Sequence, residues 1–90
     1  MAHFIISYDL RKQRNYQPLW DKLNSWGAVR LLESLWVVSM NSTAAAIRDA
    51  LKSVVDDDDG IAVLEFTART MWACFKAKDA GVNWLRSHSP

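Results

Sequence analysis

Apolar residues recur along the chain at two different spacings, and these spacings predict an alternation of strands and helices. Residues 4–8 form a short apolar run that is typical of a strand. Further along, apolar side chains recur every three or four positions, as on one face of a helix. This face consists of Tyr16, Leu19, Trp20, Leu23 and Trp26. Asn15 is a candidate N-cap for the helix, and Gly27 is a candidate stop.

The middle of the chain predicts two more strands and a second helix. Strand-forming residues run from 28 to 40, and Glu33 and Ser34 interrupt them. We therefore expect strands at 28–32 and 35–40, joined by a tight turn or a bulge. A run of capping residues at 41–43 then precedes an apolar helix face, which consists of Ala46, Ile47, Ala50, Leu51 and Val54.

The last third of the chain completes the predicted fold. After a turn of four consecutive aspartates at 56–59, residues 61–67 predict a fourth strand. A short fifth strand at 71–75 and an amphipathic helix at 80–87 follow as an extension. The order of the elements predicts an α+β protein of the ferredoxin-like βαββαβ type, with an antiparallel sheet and two helices on one face. We expect one domain over residues 1–90, with 71–90 as the extension.

The hydrophobic content of the chain indicates that it binds a second copy of itself. Half of the residues are hydrophobic and five are tryptophan, which is more apolar surface than one small core needs. Neither the first strand nor the third has a clean polar face, so we expect both faces of the sheet to be covered. These features predict a homodimer that meets through the sheet. Trp36 and Trp72 lie in predicted strands and are candidate interface residues.

Charge and cysteine content bear on location. The net charge is +1, although four of the ten acids lie in one block. The rest of the chain is therefore basic enough to present a positive face. Cys74 is the single cysteine, which favours a reducing compartment. No apolar run approaches the ~18 residues of a membrane span, so we expect a cytoplasmic protein that does not enter a membrane.

The candidate chemistry follows the first strand directly. Asp9 ends this strand, and Arg11, Lys12 and Arg14 come next. A carboxylate in this position can hold a divalent cation, and basic side chains beside it can bind phosphate. The group predicts a metal-assisted phosphodiester site or a nucleic-acid contact. The alternative is that Asp9 caps a turn and the basic residues form an ordinary solvated loop.

The order of the motifs resembles a known family. Tyr8 and Asp9 close the first strand, a Trp-Gly pair closes the first helix, and Ser34 and Trp36 open the third strand. Over residues 4–66 the chain is similar to the CRISPR-associated Cas-two family and its stand-alone relatives, which include toxin ribonucleases of the VapD type. The resemblance implies a ferredoxin-like homodimer in which two copies of Asp9 face each other and hold Mg²⁺ or Mn²⁺.

The resemblance also implies an activity and its alternatives. Asp9 would be the catalytic residue of a metal-dependent endonuclease acting on RNA or DNA. The nucleic acid would be bound by Arg11, Lys12, Arg14 and Ser34. Some family members only hold duplex DNA for an integrase, so a non-catalytic dimeric scaffold in a defence or toxin–antitoxin system is the alternative. The C-terminal extension departs from the family and is a candidate site for a protein partner. A third possibility is a regulatory domain that binds a small ligand, which the fold permits.

Overall fold

The computed structural model describes residues 1–11 and 15–89, and it confirms the α+β class. Its elements, in chain order, are β1 (Ala2–Asp9), α1 (Gln17–Ser25), β2 (Val29–Leu32), β3 (Leu35–Met40), α2 (Ala44–Lys52), β4 (Gly60–Phe66) and α3 (Asp79–His88). The strands form one antiparallel sheet in the order β2-β3-β1-β4. This order is compatible with the expected ferredoxin-like arrangement.

Local sequence signals account for the ends of the first two helices. Thr43 caps α2 by accepting a hydrogen bond, 3.1 Å long, from a backbone N–H of the first turn. At α1 the cap residue is Tyr16 rather than the predicted Asn15. The Asn15 side chain still accepts a 3.0 Å hydrogen bond from the backbone N–H of Gln17. Gly27 ends α1 with a φ of +76°, a conformation that glycine adopts without strain.

The main core lies between the sheet and the helices α1 and α2. Side chains alternate along each strand, so every second residue of β1 and β3 points towards these helices. The buried residues of this core include Phe4, Ile6, Tyr8, Trp36 and Val38 from the sheet and Leu19, Leu23, Ile47 and Leu51 from the helices. We call the opposite side of the sheet the second face.

Residues 71–89, which we call the C-terminal segment, cover part of the second face. One of the two elements predicted for this segment is wrong. The predicted helix at 80–87 is present as α3, but the predicted strand at 71–75 is wrong, because these residues have no regular structure. The segment lies on the face of the sheet instead of joining an edge. It packs Trp72 against a second cluster formed by Leu31, Val37 and Leu85. Of residues 71–75 only Trp72 is half-buried, and the other four are exposed.

Helix α3 lies directly against the backbone of β2. A Cβ added to Gly81 would lie 2.6 Å from Leu31 Cα and 2.8 Å from the carbonyl oxygen of Arg30. Just before the helix, the backbone N–H of Lys78 donates a 2.9 Å hydrogen bond to the Leu31 carbonyl. Glycine therefore permits an approach that any side chain would block.

Helices α1, α2 and α3 are short. They contain nine, nine and ten residues, whereas a membrane crossing takes about 20. Within residues 1–11 and 15–89, no helix could span a bilayer.

Candidate functional site at the end of strand β1

Asp9 lies at an uncovered end of the second face. In β1 it follows Ser7 on this face, and it pairs with Gly60 in the neighbouring strand β4. The Asp9 side chain is 73% exposed. Helix α3 lies mainly against β2 and β3, and it packs on β1 and β4 at their other end, through His3 and Phe66. A shallow depression there is lined by Ser7, Asp9, Gly60 and Ala62, among others. The predicted catalytic carboxylate is thus accessible from solvent.

Arg11 forms an ion pair with Asp9. Its Nη2 and Nε atoms lie 3.2 Å and 3.3 Å from Asp9 Oδ2, so both groups donate to one oxygen. The guanidinium also donates to the carbonyl oxygen of Asp58 at 2.9 Å. The backbone N–H of Arg11 donates to Asp59 Oδ1 at 2.8 Å. The aspartate-rich turn therefore holds the arginine beside the carboxylate.

Asp59 organises this turn. Its Oδ1 also accepts a 3.0 Å hydrogen bond from the Tyr16 hydroxyl, and its Oδ2 accepts one of 2.9 Å from the backbone N–H of Asp56. One carboxylate thus connects the start of α1, the loop after β1 and the turn before β4. This role was not apparent in the sequence, because four adjacent aspartates give no sign of which one turns inward.

Ser34 lies at the same end of the sheet as Asp9. Its carbonyl accepts a 3.0 Å hydrogen bond from the backbone N–H of Tyr8, and the residue is exposed in the turn between β2 and β3. The structure therefore brings Asp9, Arg11 and Ser34 to one end of the sheet. Lys12 and Arg14, the other predicted nucleic-acid contacts, lie outside the described residues.

The hydroxyl of Tyr8 is the centre of a buried hydrogen-bond network. It accepts hydrogen bonds from the indole N–H groups of Trp20 and Trp36, at 3.1 Å and 3.0 Å, and donates to the Glu33 carbonyl at 3.0 Å. Trp36, which we predicted to lie at an interface, is 4% exposed and faces the helices. Its place is in the core, because Trp36 pairs with Ile6 on the inward face of β1. The alternation of side chains along the strand could already have indicated that Trp36 faces the helices.

Trp72 has an intramolecular role. It is half-buried against the second cluster, and its indole N–H donates a hydrogen bond to the Ser89 carbonyl. Ser89 is itself buried, and its hydroxyl lies within hydrogen-bond distance of the carbonyls of Ala68 and Thr70. These contacts hold the C-terminal segment onto the sheet. An interface role for Trp72 stays a prediction.

A single chain does not provide a complete metal site in its described part. Across residues 1–11 and 15–89, no three His, Cys, Asp or Glu side chains come together in a way that could hold a metal ion. Asp9 supplies one carboxylate. Mg²⁺ usually keeps several waters and takes one or two carboxylates together with substrate phosphates.

His3 lies at the other end of β1, beneath the end of α3. Its Nδ1 is 2.6 Å from the Ser39 hydroxyl, and its ring packs edge-on against Trp84 and His88. Partial burial lowers the pKa of His3 below its ordinary value of 6.5, and the nearby His88 and N-terminal amine lower it further.

The lowered pKa of His3 predicts a loss of stability in acid. The folded protein binds this proton less readily than the unfolded chain, so the free energy of unfolding falls as the pH drops below 6.5. We expect urea unfolding to show a modest loss between pH 7.5 and pH 5, and a smaller one in His3→Gln. The test is the difference in pH dependence between the two proteins, because contributions from groups other than His3 are common to both. Equal pH dependence would contradict the prediction.

Comparison with known proteins assigns no family. A scan against protein-family models finds none that matches this chain, and no solved structure matches it either. The Cas-two resemblance therefore depends on the motifs around Asp9 and Ser34 and on the order of the elements.

Proposed function

We propose that this chain is a ferredoxin-like protein of the Cas-two type, which forms a homodimer and acts on nucleic acid as a metal-dependent endonuclease. The observation that carries the proposal is the exposed carboxylate of Asp9 at the open end of the second face, with Arg11 beside it. The strand order and the two helices on one face support the ferredoxin-like assignment. A cytoplasmic location is part of the proposal, since Cys74 is free.

The second face is the surface we assign to the dimer. Leu64 projects from its open half and is 54% exposed, although it is a large apolar residue. Met71 and Phe75 in the C-terminal segment are 95% and 84% exposed. In a two-fold interface the same patch meets itself, so these residues would be buried against their own copies. The arrangement would also place Asp9 of one protomer towards Asp9 of its partner.

In this dimer the residues around Asp9 would fit a metal. Two copies of Asp9 would supply two carboxylates, and waters and a phosphate oxygen of the substrate would fill the other positions. Bound Mg²⁺ or Mn²⁺ would polarise the phosphate and provide a nucleophilic water. Arg11 would exchange its contact with Asp9 for one with the phosphate, a group that arginine binds through two parallel N–H donors. Its bonds to Asp58 and Asp59 would keep it close.

Leu64→Lys is expected to disrupt the dimer. Two ammonium groups would meet near the two-fold axis, where like charges cost several kcal/mol. We expect the dimer dissociation constant to rise about a hundredfold or more, as measured by sedimentation equilibrium. Ala45→Lys, on the exposed side of α2, is the control and should remain dimeric. A monomeric wild type, or a Leu64→Lys protein that dimerises normally, would contradict the assigned interface.

The proposed metal site is tested by Mn²⁺ binding in the presence of a cleavage-resistant phosphorothioate oligonucleotide. We expect one ion per two chains by electron paramagnetic resonance, and no specific binding in Asp9→Asn. One ion per chain, or binding that survives Asp9→Asn, would exclude a metal shared between two copies of Asp9.

The second candidate function is a non-catalytic scaffold that holds nucleic acid. It is favoured by the ion pair with Arg11, which satisfies one oxygen of Asp9 within the chain. On this hypothesis the pair is structural, so the dimer would bind nucleic acid without cutting it. Binding in a filter assay would then be the same in wild type and Asp9→Asn, with no cleavage by either. Metal-dependent cleavage by wild type would exclude this candidate.

A further inference from the structure

A groove lies on the opposite side of the sheet from Asp9. It runs between helix α1 and the edge strand β2, and it has a volume of about 390 Å³, in the range of small-molecule sites. Its lining includes Gln17, Trp20 and Asn24 from the helix and Arg30 from the strand. Arg30 pairs with Trp36 on the helix-facing side, so the groove is separate from the proposed metal site.

Arg30 is held in the groove by aromatic rings rather than by acceptors. Its guanidinium carbon lies 4.7 Å from the ring centroid of Trp36 and 5.4 Å from that of Trp20. Its Nε is buried and has no hydrogen-bond partner within the described chain. The carboxylate of Glu33 lies 3.9 Å from Nη1, and the Glu33 side chain is 83% exposed. The rings thus position a cation and leave its terminal N–H donors largely unused.

The position of Arg30 has a cost in stability. A buried donor without a partner destabilises the fold, and native proteins keep few of them. Arginine is a poor choice for simply covering two tryptophan rings, because a methionine could cover them without an unpaired donor. A planar cation with free terminal N–H groups is, however, well suited to bind the oxygens of a phosphate.

The other residues of the groove suit a nucleobase. Trp20 is half-buried and offers aromatic surface for stacking. The amides of Asn24 and Gln17 provide both donors and acceptors for the edge of a base. The Gln17 amide is already oriented, since its nitrogen donates a 2.8 Å hydrogen bond to Asp21. Phosphate, stacking and base-edge contacts would thus all be available within one groove.

We propose that this groove binds a nucleoside monophosphate unit, with the phosphate on Arg30 and the base against Trp20. The unit could be a free nucleotide or one nucleotide of a single strand, because both present the same chemistry. The inference goes beyond the proposed function, since it involves neither Asp9 nor a metal.

The test is a titration followed by tryptophan fluorescence, because Trp20 and Trp36 line the groove. The probes are AMP, UMP, inorganic phosphate and a short single-stranded RNA, each in EDTA. We expect saturable binding of a nucleotide or of the RNA, stronger than that of inorganic phosphate. Binding of AMP or UMP identifies a free-nucleotide site, whereas binding of the RNA alone identifies a site for a strand. Absence of binding for every probe would overturn the proposal.

Substitutions then locate the site. Arg30→Met keeps the stem over the rings and removes the donors, and it should weaken nucleotide binding about tenfold or more. Arg30→Lys keeps the charge, is the more conservative change for folding, and should weaken binding as well, since it cannot donate bidentately. Arg48→Met, on the exposed side of α2, is the matched control. Unchanged binding by both Arg30 variants, each folded by circular dichroism, would overturn the assignment.

Discussion

Gly81→Ala is expected to lower the free energy of unfolding by about 2 kcal/mol, the scale of overpacking in a closely packed site. In an exposed helix the same change would stabilise by about 1 kcal/mol, because alanine is the better helix former. Here the new methyl group would lie 2.6 Å from Leu31 Cα, a backbone atom that cannot rotate away. Helix α3 would have to move off β2 and expose the cluster around Leu85.

Urea unfolding measures this effect, and Asn83→Ala is its control. Asn83 is exposed on the same helix, so its replacement by alanine, the better helix former, should raise the free energy of unfolding by about 0.5 kcal/mol or less. The opposite signs expected for the two alanines distinguish close packing from helix propensity. A Gly81→Ala protein as stable as wild type would contradict the contact between α3 and β2.

Asp9→Asn is expected to reduce the rate of metal-dependent cleavage at least about a hundredfold. A metal ion supplies several kcal/mol of transition-state stabilisation, and each 1.36 kcal/mol is a factor of ten in rate. Asparagine preserves the shape of the side chain but removes its charge from both copies in the dimer. Single-turnover cleavage of a labelled substrate measures the rate.

Asp57→Asn is the matched control for this experiment. It removes the same charge from an exposed position in the nearby aspartate-rich turn. We expect its cleavage rate to remain within about twofold of wild type. The substitution changes only surface electrostatic interactions, which are weak and are screened by salt. Equal losses in the two variants would mean that net charge, rather than a metal ligand, governs the rate.

The elements with strong local signals could be predicted from the sequence. Helices α1 and α2 follow the spacing of their apolar residues, and β3 has the predicted bounds of Leu35–Met40. The segment at 71–75 could not be assigned correctly, because its strand-forming composition does not show whether a neighbouring strand pairs with it. Its position depends on contacts such as that of Trp72 with the cluster around Leu31 and Val37, which are distant in sequence.

The candidate site was predictable only where its parts are neighbours in the chain. Asp9 and Arg11 are two residues apart, so their side chains can form an ion pair in almost any turn that joins them. The attachment of Arg11 to Asp58 and Asp59 depends instead on the pairing of Asp9 with Gly60, which the sequence does not specify. Arg30 carried no motif at all, and its contacts with two tryptophan rings appear only after α1 packs on the sheet.

We propose that a dimer of this chain cuts nucleic acid through a metal held by Asp9. The most direct test of this claim is a cleavage assay on mixed RNA and DNA substrates in Mg²⁺, Mn²⁺ and EDTA, with wild type and Asp9→Asn each repurified to remove contaminating nucleases. We predict cleavage by wild type that requires the metal and is lost in Asp9→Asn. Absence of cleavage by an intact wild-type dimer, or cleavage that persists in Asp9→Asn, would contradict the claim.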